Sequence, residues 1–468
     1  MARRRDIELG VTCWSSVQIR SLSMVTMLTA ALVSGCAPAL RAPRTTVTGR
    51  DSVRVAPVAR GIVHETHWMA AGPWVAQVVR VDLAQCRCAL EAMHAFDGIR
   101  GRERVSDMAT RFAARGTTVL AAINADFFDL RTGDVENNQV VAGEWTKGNG
   151  ISESPHHTFP TVHVQVGQRE DGRVVIGRFR MRGVVRVGGD SMVVEALNPQ
   201  RRGNGAIVLY SARHGERTPV SGGAADSGAV QVDPDNGPAT PERVAAAARR
   251  DSLKLAADTA ARSVVEVPLE PVETPGVARS GRHRYRVSGL PQTGTGGTRI
   301  PKSGLVLSIT LDDVATMRAS RLVFGREVTL ELDAVDLGGT SVGPVRALVG
   351  GWGALVDDGA NISARVDSLE GTFPRFSAQR HPRTAVGLAR GGRELLLIGV
   401  DGRGANGSAG MSLVELGGWL VALGVRDGAN LDGGGSTTVW IMGRGVVNRP
   451  SDPTGERPVG NGLFVVRR

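Results

Sequence analysis

From about residue 61 the chain reads as short apolar runs broken by glycine, the pattern of strands joined by turns. Trp74–Leu83 and Val162–Val166 are two such runs. Glu103–Arg115 interrupts them: Val105, Met108, Ala109 and Phe112 recur at helical spacing, and Gly116 supplies a stop. The apolar run Thr117–Ile123 follows and predicts a buried strand. Thr384–Leu388 and Glu394–Val400 flank Arg390-Gly391-Gly392 and predict a hairpin. Met411–Leu423 places Leu413, Leu416, Leu420 and Leu423 at helical spacing, with Ser412 and Glu415 in the positions of a capping box. Gly428–Leu431 and Thr437–Ile441 predict strands on either side of Asp432-Gly433-Gly434-Gly435-Ser436. Such short connections forbid most parallel crossovers. The expected fold is therefore α+β, with mixed, largely antiparallel sheets and packed helices.

The N-terminus follows a different pattern. Arg3, Arg4, Arg5 and Arg20 precede the apolar stretch Leu22–Val33, which ends Val33-Ser34-Gly35-Cys36. A basic flank, a short apolar core and small residues describe a secretory signal peptide over residues 1–36, although Asp6 and Glu8 are unusual in one. The core is short for a membrane span. Cys36 after small residues resembles a lipobox cysteine, which makes it the candidate lipidation site. Export to the cell envelope, lipid-anchored or secreted, is the expected location. Residues 37–60 read as a flexible tether, and 61–468 as one domain. Within it, 233–301 reads as an insertion: a turn at Asp233–Pro238, an Ala-rich helix over Glu242–Arg262, and a Gly, Thr and Pro-rich stretch at Ser288–Pro301. Cys86 and Cys88, on one strand, would share a face, so they read as buried thiols.

Composition narrows the function. Hydrophobic residues make up 41% of the chain, enough for a core, and the 61 glycines show no collagen period. Lys and Arg exceed Asp and Glu by 56 to 46, a net charge of +10, but the basic residues are scattered among acids. With aromatics at 4%, this argues against a nucleic-acid partner. No H-E-x-x-H or P-loop occurs, and the histidines have no recognised metal spacing.

Several short segments carry chemistry. Asn124-Ala125-Asp126-Phe127-Phe128-Asp129 sits where a buried strand runs out, so its polar groups can reach a cleft while the rings anchor the turn. The glycines after Asp432 let backbone approach a ligand and aim N–H groups at an anion. Arg383-Thr384 opens a strand, and a guanidinium suits phosphate. Asp401-Gly402-Arg403 follows another strand.

Taken in order, Asn124–Phe128, Arg383–Gly387, Asp401–Arg403, Gly410–Leu416, Asn430–Thr437 and Gly455–Val459 resemble the motifs of the phosphodiester glycosidase family. The resemblance covers about residues 61–468 and is densest after 383. Ala125 stands where the family commonly has Gly. The resemblance implies hydrolysis of a sugar-1-phosphodiester, such as one of N-acetylglucosamine, to free sugar and a phosphomonoester. It implies Asp432 as nucleophile or base, Asp126 as its partner, and Arg383 with the amides of Gly433, Gly434 and Gly435 on the phosphate. Asn124, Thr384, Asp401, Asn430, Ser436 and Arg457 would contact substrate, and Glu415 is a candidate whose capping role explains it equally well. No cofactor is predicted, a divalent cation is left open, and membrane contact is expected only through the lipid anchor. The competing reading is a non-catalytic envelope lipoprotein that binds glycan or peptidoglycan through the same cleft.

Overall fold

A computed structural model describes residues 51–149, 162–199, 207–220, 240–246, 248–249, 263–273, 278–311 and 317–468. The expected signal peptide, Cys36 and the first part of the tether lie outside these residues. The tether's last residues do not: Ser52–Ala59 is an edge strand paired with Ile62–Met69.

Strand alternation explains the layering. An eight-stranded sheet runs, in spatial order, Ser52–Ala59, Ile62–Met69, Trp74–Asp82, Glu394–Val400, Arg383–Ala389, Val425–Asn430, Ala354–Asp357 and Ala360–Asn361. Its central strands are apolar on both faces, because both faces are covered. Leu395 and Leu397 point one way, onto Ala121, Ile123, Val439 and Leu463 of a five-stranded sheet. That sheet is ordered Gly445–Val446, Val439–Ile441, Val119–Asn124, Asn461–Arg467 and Cys88–His94. Leu396 and Ile398 point the other way, onto Leu413, Leu416 and Leu420 of the helix Leu413–Ala422. The far face of the five-stranded sheet is covered by Val105, Met108 and Ala109 of the helix Val105–Ala114, which pack on Ala122 and Phe464. The result is a helix–sheet–sheet–helix stack. A second five-stranded sheet adds Val164, Val166 and Val349 to the central core.

The expected hairpin forms with Arg383 opposite Val400 and Ala389 opposite Glu394. The capping box forms as well: Glu415 N donates to Ser412 Oγ (3.2 Å) and Ser412 N to Glu415 Oε2 (2.9 Å). The largely antiparallel sheets of the α+β expectation are present, and with few helices among the described residues the fold is sheet-dominated. One short pair, Ala196–Leu197 with its neighbour Ile207–Ser211, is parallel.

Two readings need correction. Cys86 and Cys88 are disulfide-bonded with Cα atoms 5.2 Å apart. Cys86 lies in the turn before the strand Cys88–His94, and Arg87 between them has φ +46°, so they never share a strand face. The stretch 233–301 is not a loop-bounded insertion throughout. Val264–Pro271, Gly281–Val287 and Gln292–Gly294 pair within a nine-stranded sheet, against Leu305–Thr310 and Glu327–Val335. Of the expected helix at 242–262, residues 241–246 are helical, whereas 247 and 250–262 lie outside the described residues.

Ser412→Ala should lower unfolding stability by about 1 kcal/mol through loss of the cap. Leu416→Ala, at a fully buried position, should cost about 2–5 kcal/mol. Urea titration of both variants checks the ranking.

Candidate active site

Strand register collects the polar segments at one end of the stack. Arg383 faces Val400, so Asp401 begins beside it; Ala385 faces Asn430; Asn124 faces Gly462. Asn124 then ties the ends together. Its Nδ2 donates to Asp432 O (2.6 Å), and its Oδ1 accepts from Thr384 Oγ1 (2.8 Å) and Thr438 N (3.0 Å). Asp432 N donates to Ala125 O at 2.8 Å. The Phe-Phe turn and the triple-glycine bend, some 300 residues apart in sequence, are thus in direct contact.

Each glycine of the bend has its own reason. A Cβ on Gly433 would stand 2.7 Å from Pro382 O, and one on Gly435 would stand 2.0 Å from Asp452 Oδ1 and 2.2 Å from Arg457 Nη2. Gly434 has φ +60°, and its N–H donates to Pro382 O. That amide is therefore occupied by the protein. Asp432 is half-buried at the start of the bend. The Ser436 hydroxyl and Asn430 Oδ1 are buried with no hydrogen-bond partner among the described residues, while Asn430 Nδ2 donates to Trp352 O (3.0 Å) and Leu431 O (2.8 Å).

Arg383 is the unusual group. It is 1% exposed, and three hydrogen bonds lead from its guanidinium to backbone carbonyls: Nε to Met411 (2.9 Å), and Nη2 to Phe376 (2.6 Å) and Gln379 (3.0 Å). Among the described residues no carboxylate pairs with it and nothing accepts from Nη1. Burial pulls it down to about 9, and the like charge of Arg403 acts in the same direction. Two guanidinium groups within electrostatic reach, one of them buried without a counter-ion, make a site that favours an anion between them.

The carboxylates divide by environment. Asp126 is buried, and its oxygens accept from Asn137 Nδ2 (2.6 Å), Asn137 N (2.9 Å) and Gln139 Nε2 (2.7 Å). Burial pushes it up to about 7, against the pull of the Asn137 bonds. With both oxygens engaged, Asp126 holds the 137–139 segment in place. Asp401 is pushed up to about 6 by burial and accepts from Asn406 Nδ2 (2.7 Å) and Arg449 N (2.9 Å), which fastens two loops. The Arg457 guanidinium grips Asp452 with two bonds, 2.7 and 2.9 Å, against Gly435. Glu415 is occupied by the capping box and by Arg380 Nε at 3.0 Å. Among the described residues no cluster of three or more His, Cys, Asp or Glu is placed to hold a metal.

Asn137 and Gln139 escaped the sequence reading, although the polar run Asn137-Asn138-Gln139 before an apolar pair was a signal. Trp352, Phe373 and Phe376, which line the same region, carry no local signal. The sequence is silent about which loops meet.

Comparison with known proteins adds to this geometry. The family described as phosphodiester glycosidase matches residues 293–466. This stretch is similar to the phosphodiester glycosidase domain. It contains Arg383, Asp401, Asn430, Asp432 and Arg457, while Asn124 and Asp126 reach the domain's site from the preceding part of the chain. No curated protein matches the chain. A hypothetical protein of Synechocystis shares 19% identity at a TM-score of 0.60, over 88% of this chain, which spans 64% of that protein's length. A candidate exported protein of Burkholderia pseudomallei K96243 shares 16% identity at a TM-score of 0.60, over 89% of this chain and 96% of its own. Both share the fold. The zebrafish N-acetylglucosamine-1-phosphodiester alpha-N-acetylglucosaminidase catalytic domain, auto-inhibited by its pro-peptide, matches at 15% identity over 89% of this chain and 88% of that one. Its TM-score of 0.39 is too low to bear on the argument.

Gly435→Ala should cost about 1–3 kcal/mol by displacing the Asp452–Arg457 pair, whereas Gly189→Ala, where a Cβ meets open space, should stay within about 0.5 kcal/mol. Asp126 generates a pH prediction. Its folded pKa lies above the unfolded value, so the native state keeps a proton that the unfolded chain releases as pH rises past about 4. Its contribution should be full below pH 4 and lost by about pH 7. Asp126→Asn should remove that slope, which parallel urea melts between pH 4 and 8 would resolve.

Proposed function

We propose that the protein is an exported hydrolase that cleaves a sugar-1-phosphodiester to free sugar and a phosphomonoester. The observation that carries this reading is Arg383: a buried guanidinium with no carboxylate partner among the described residues, beside the loop that presents Asp432. A phosphodiester bound there places its anionic oxygens toward Nη1 and Arg403, and its sugar toward the polar side of the bend, where Asn430 Oδ1 and the Ser436 hydroxyl have no partner among the described residues.

In this reading the bond that breaks joins the anomeric carbon to the phosphate oxygen. Asp432 either attacks that carbon, with water releasing the sugar afterwards, or takes a proton from the water that attacks it directly. The electron pair of the broken bond goes to the phosphate. A phosphomonoester has a second pKa of about 6, so it departs with little protonation. One reacting carboxylate can then do what most glycosidases divide between two. Arg383 stabilises the charge that grows on the departing phosphate. Its donors are already oriented by the Met411, Phe376 and Gln379 carbonyls, so little reorganisation accompanies the step. Asp126 acts by shaping the turn that supports Asn124.

Export is supported by the N-terminal pattern, and the Cys86–Cys88 disulfide suits an oxidising compartment. The lipid anchor rests on Cys36 and its small neighbours alone.

The test is hydrolysis of N-acetylglucosamine-1-phosphodiesters by the purified protein, followed as release of reducing sugar. Asp432→Asn should lower kcat about 1,000-fold or more. Arg383→Lys, which keeps the charge and loses the fork, should lower kcat/KM about 100-fold. Both should keep a cooperative melt. Tight glycan binding with no turnover across a broad phosphodiester panel would instead establish the binding-lipoprotein reading.

A further inference from the structure

Among the described residues Phe96 is the one aromatic with positive φ, +51°, and Asp97 after it has φ +62°. A bulky side chain in the left-handed region crowds its own backbone, whereas Asn or Gly adopts that conformation with less strain. The ring gains little from the fold in return, since Phe96 is 66% exposed. A strained residue of this kind persists only where its surroundings force it.

Charged side chains supply the force by taking up the loop's backbone. Phe96 N donates to Glu103 Oε2 (2.9 Å), and Arg111 Nη2 donates to the same oxygen (2.7 Å) and to His94 O (3.0 Å). Arg213 Nη1 donates to Asp97 O at 3.1 Å. Arg115 and then Arg111 bond the Asp97 carboxyl and hold it down to about 2, so the clamp stays ionised at neutral pH. These contacts fix where the ring stands, and none of them uses the ring.

Neighbouring strand ends connect this loop to the candidate site. Cys88–His94, Asn461–Arg467 and Val119–Asn124 lie side by side, with His94 opposite Asn461 and Gly462 opposite Asn124. Ala95 N donates to Gly460 O (2.9 Å), and Asn461 Oδ1 accepts from Asp126 N (2.8 Å). The loop therefore begins two strands away from Asn124, roughly 10 Å to the side, and Asn124 touches the glycine bend. The ring lies along Gly101, where a Cβ would stand 3.1 Å from it. Gly101 N donates to Thr132 O (2.7 Å), in the loop that leaves the Phe127-Phe128 turn.

We infer that Phe96 is a stacking platform for a second sugar ring, and that the sugar portion of the substrate is an oligosaccharide rather than a single residue. The inference rests on the phosphodiester reading above. With the first sugar at the glycine bend, a ring linked to it and extended along the strand ends reaches Phe96. The surroundings choose a sugar over a protein or a membrane, which would need a contiguous apolar patch. Phe96 stands alone among Asp97, Gly98, Arg100, Gly101 and Arg102, and Ile99 is buried. A pyranose offers a face of C–H groups to one ring and hydroxyls to the polar groups around it.

The experiment compares 1-phosphate methyl esters of N-acetylglucosamine and of its β-1,4- and β-1,6-linked dimers, with kcat and KM measured separately. At least one dimer should exceed the single sugar in kcat/KM by about tenfold, mainly through KM. Phe96→Asn should bring that ratio toward one while melting at or above the wild-type temperature, and Phe96→Tyr should keep the ratio. A wild-type ratio near one for both dimers, a ratio unchanged in Phe96→Asn, or a ratio lost equally in Phe96→Tyr overturns the platform. A clear fall in the melting temperature of Phe96→Asn makes the ring structural and overturns it too. If no ester is hydrolysed, the functional reading fails, and the platform is tested alone by calorimetry with the unphosphorylated dimers. Binding lost in Phe96→Asn and kept in Phe96→Tyr supports it; no binding, or equal binding by all three proteins, overturns it.

Discussion

The site depends on a single buried amide. Asn124 terminates a strand of one sheet, yet its side chain bonds Thr384 in the neighbouring sheet and both ends of the glycine bend, at Asp432 and Thr438. A buried amide with its oxygen and nitrogen both engaged is stable only in that arrangement, since losing a partner strands a desolvated polar group. It therefore fixes the spacing between layers where their strand ends meet. The glycines follow from the same closeness: at Gly433 and Gly435 there is no room for a side chain.

On that framework the charged groups separate into those that hold structure and those that remain for a ligand. Asp126, Asp401, Glu415 and the Asp452–Arg457 pair are bound up with backbone or side-chain partners. Among the described residues, Arg383 is desolvated and satisfied only by neutral carbonyls. Burying a cation in this way is costly, and the fold retains it where an anion can complete it. The Phe376 ring against it covers one face of the guanidinium and would strengthen its attraction for a phosphate.

How much of this was legible follows from locality. The helix at Leu413–Ala422 was readable because spacing and cap are both short-range, as was the hairpin around Gly391. The ordered motifs pointed to the family because they keep their order along the chain. Where the sequence misled, a non-local pairing or a backbone twist was responsible. Arg87 at positive φ turns Cys86 toward Cys88. Gly281–Val287 alternates Arg282, Arg284 and Arg286 with His283, Tyr285 and Val287, and its place becomes clear only when Glu327–Val335 pairs with it. Val264–Pro271 hides a buried acid: Glu266 accepts from Thr218 and Ser308. Asn137, Gln139 and the rings of Trp352 and Phe376 reach the site only through tertiary contact, which no spacing in one dimension encodes.

The central claim is that Arg383 is the buried cation of an anion site. A crystal structure of the protein grown with a sugar-1-phosphate tests it most directly. The account predicts the phosphate within hydrogen-bond distance of Arg383 Nη1, with the sugar against the glycine bend. A phosphate bound instead at the opposite end of the eight-stranded sheet, in the 640 Å³ cavity lined by Arg80 and Arg390, with Arg383 untouched, would contradict it.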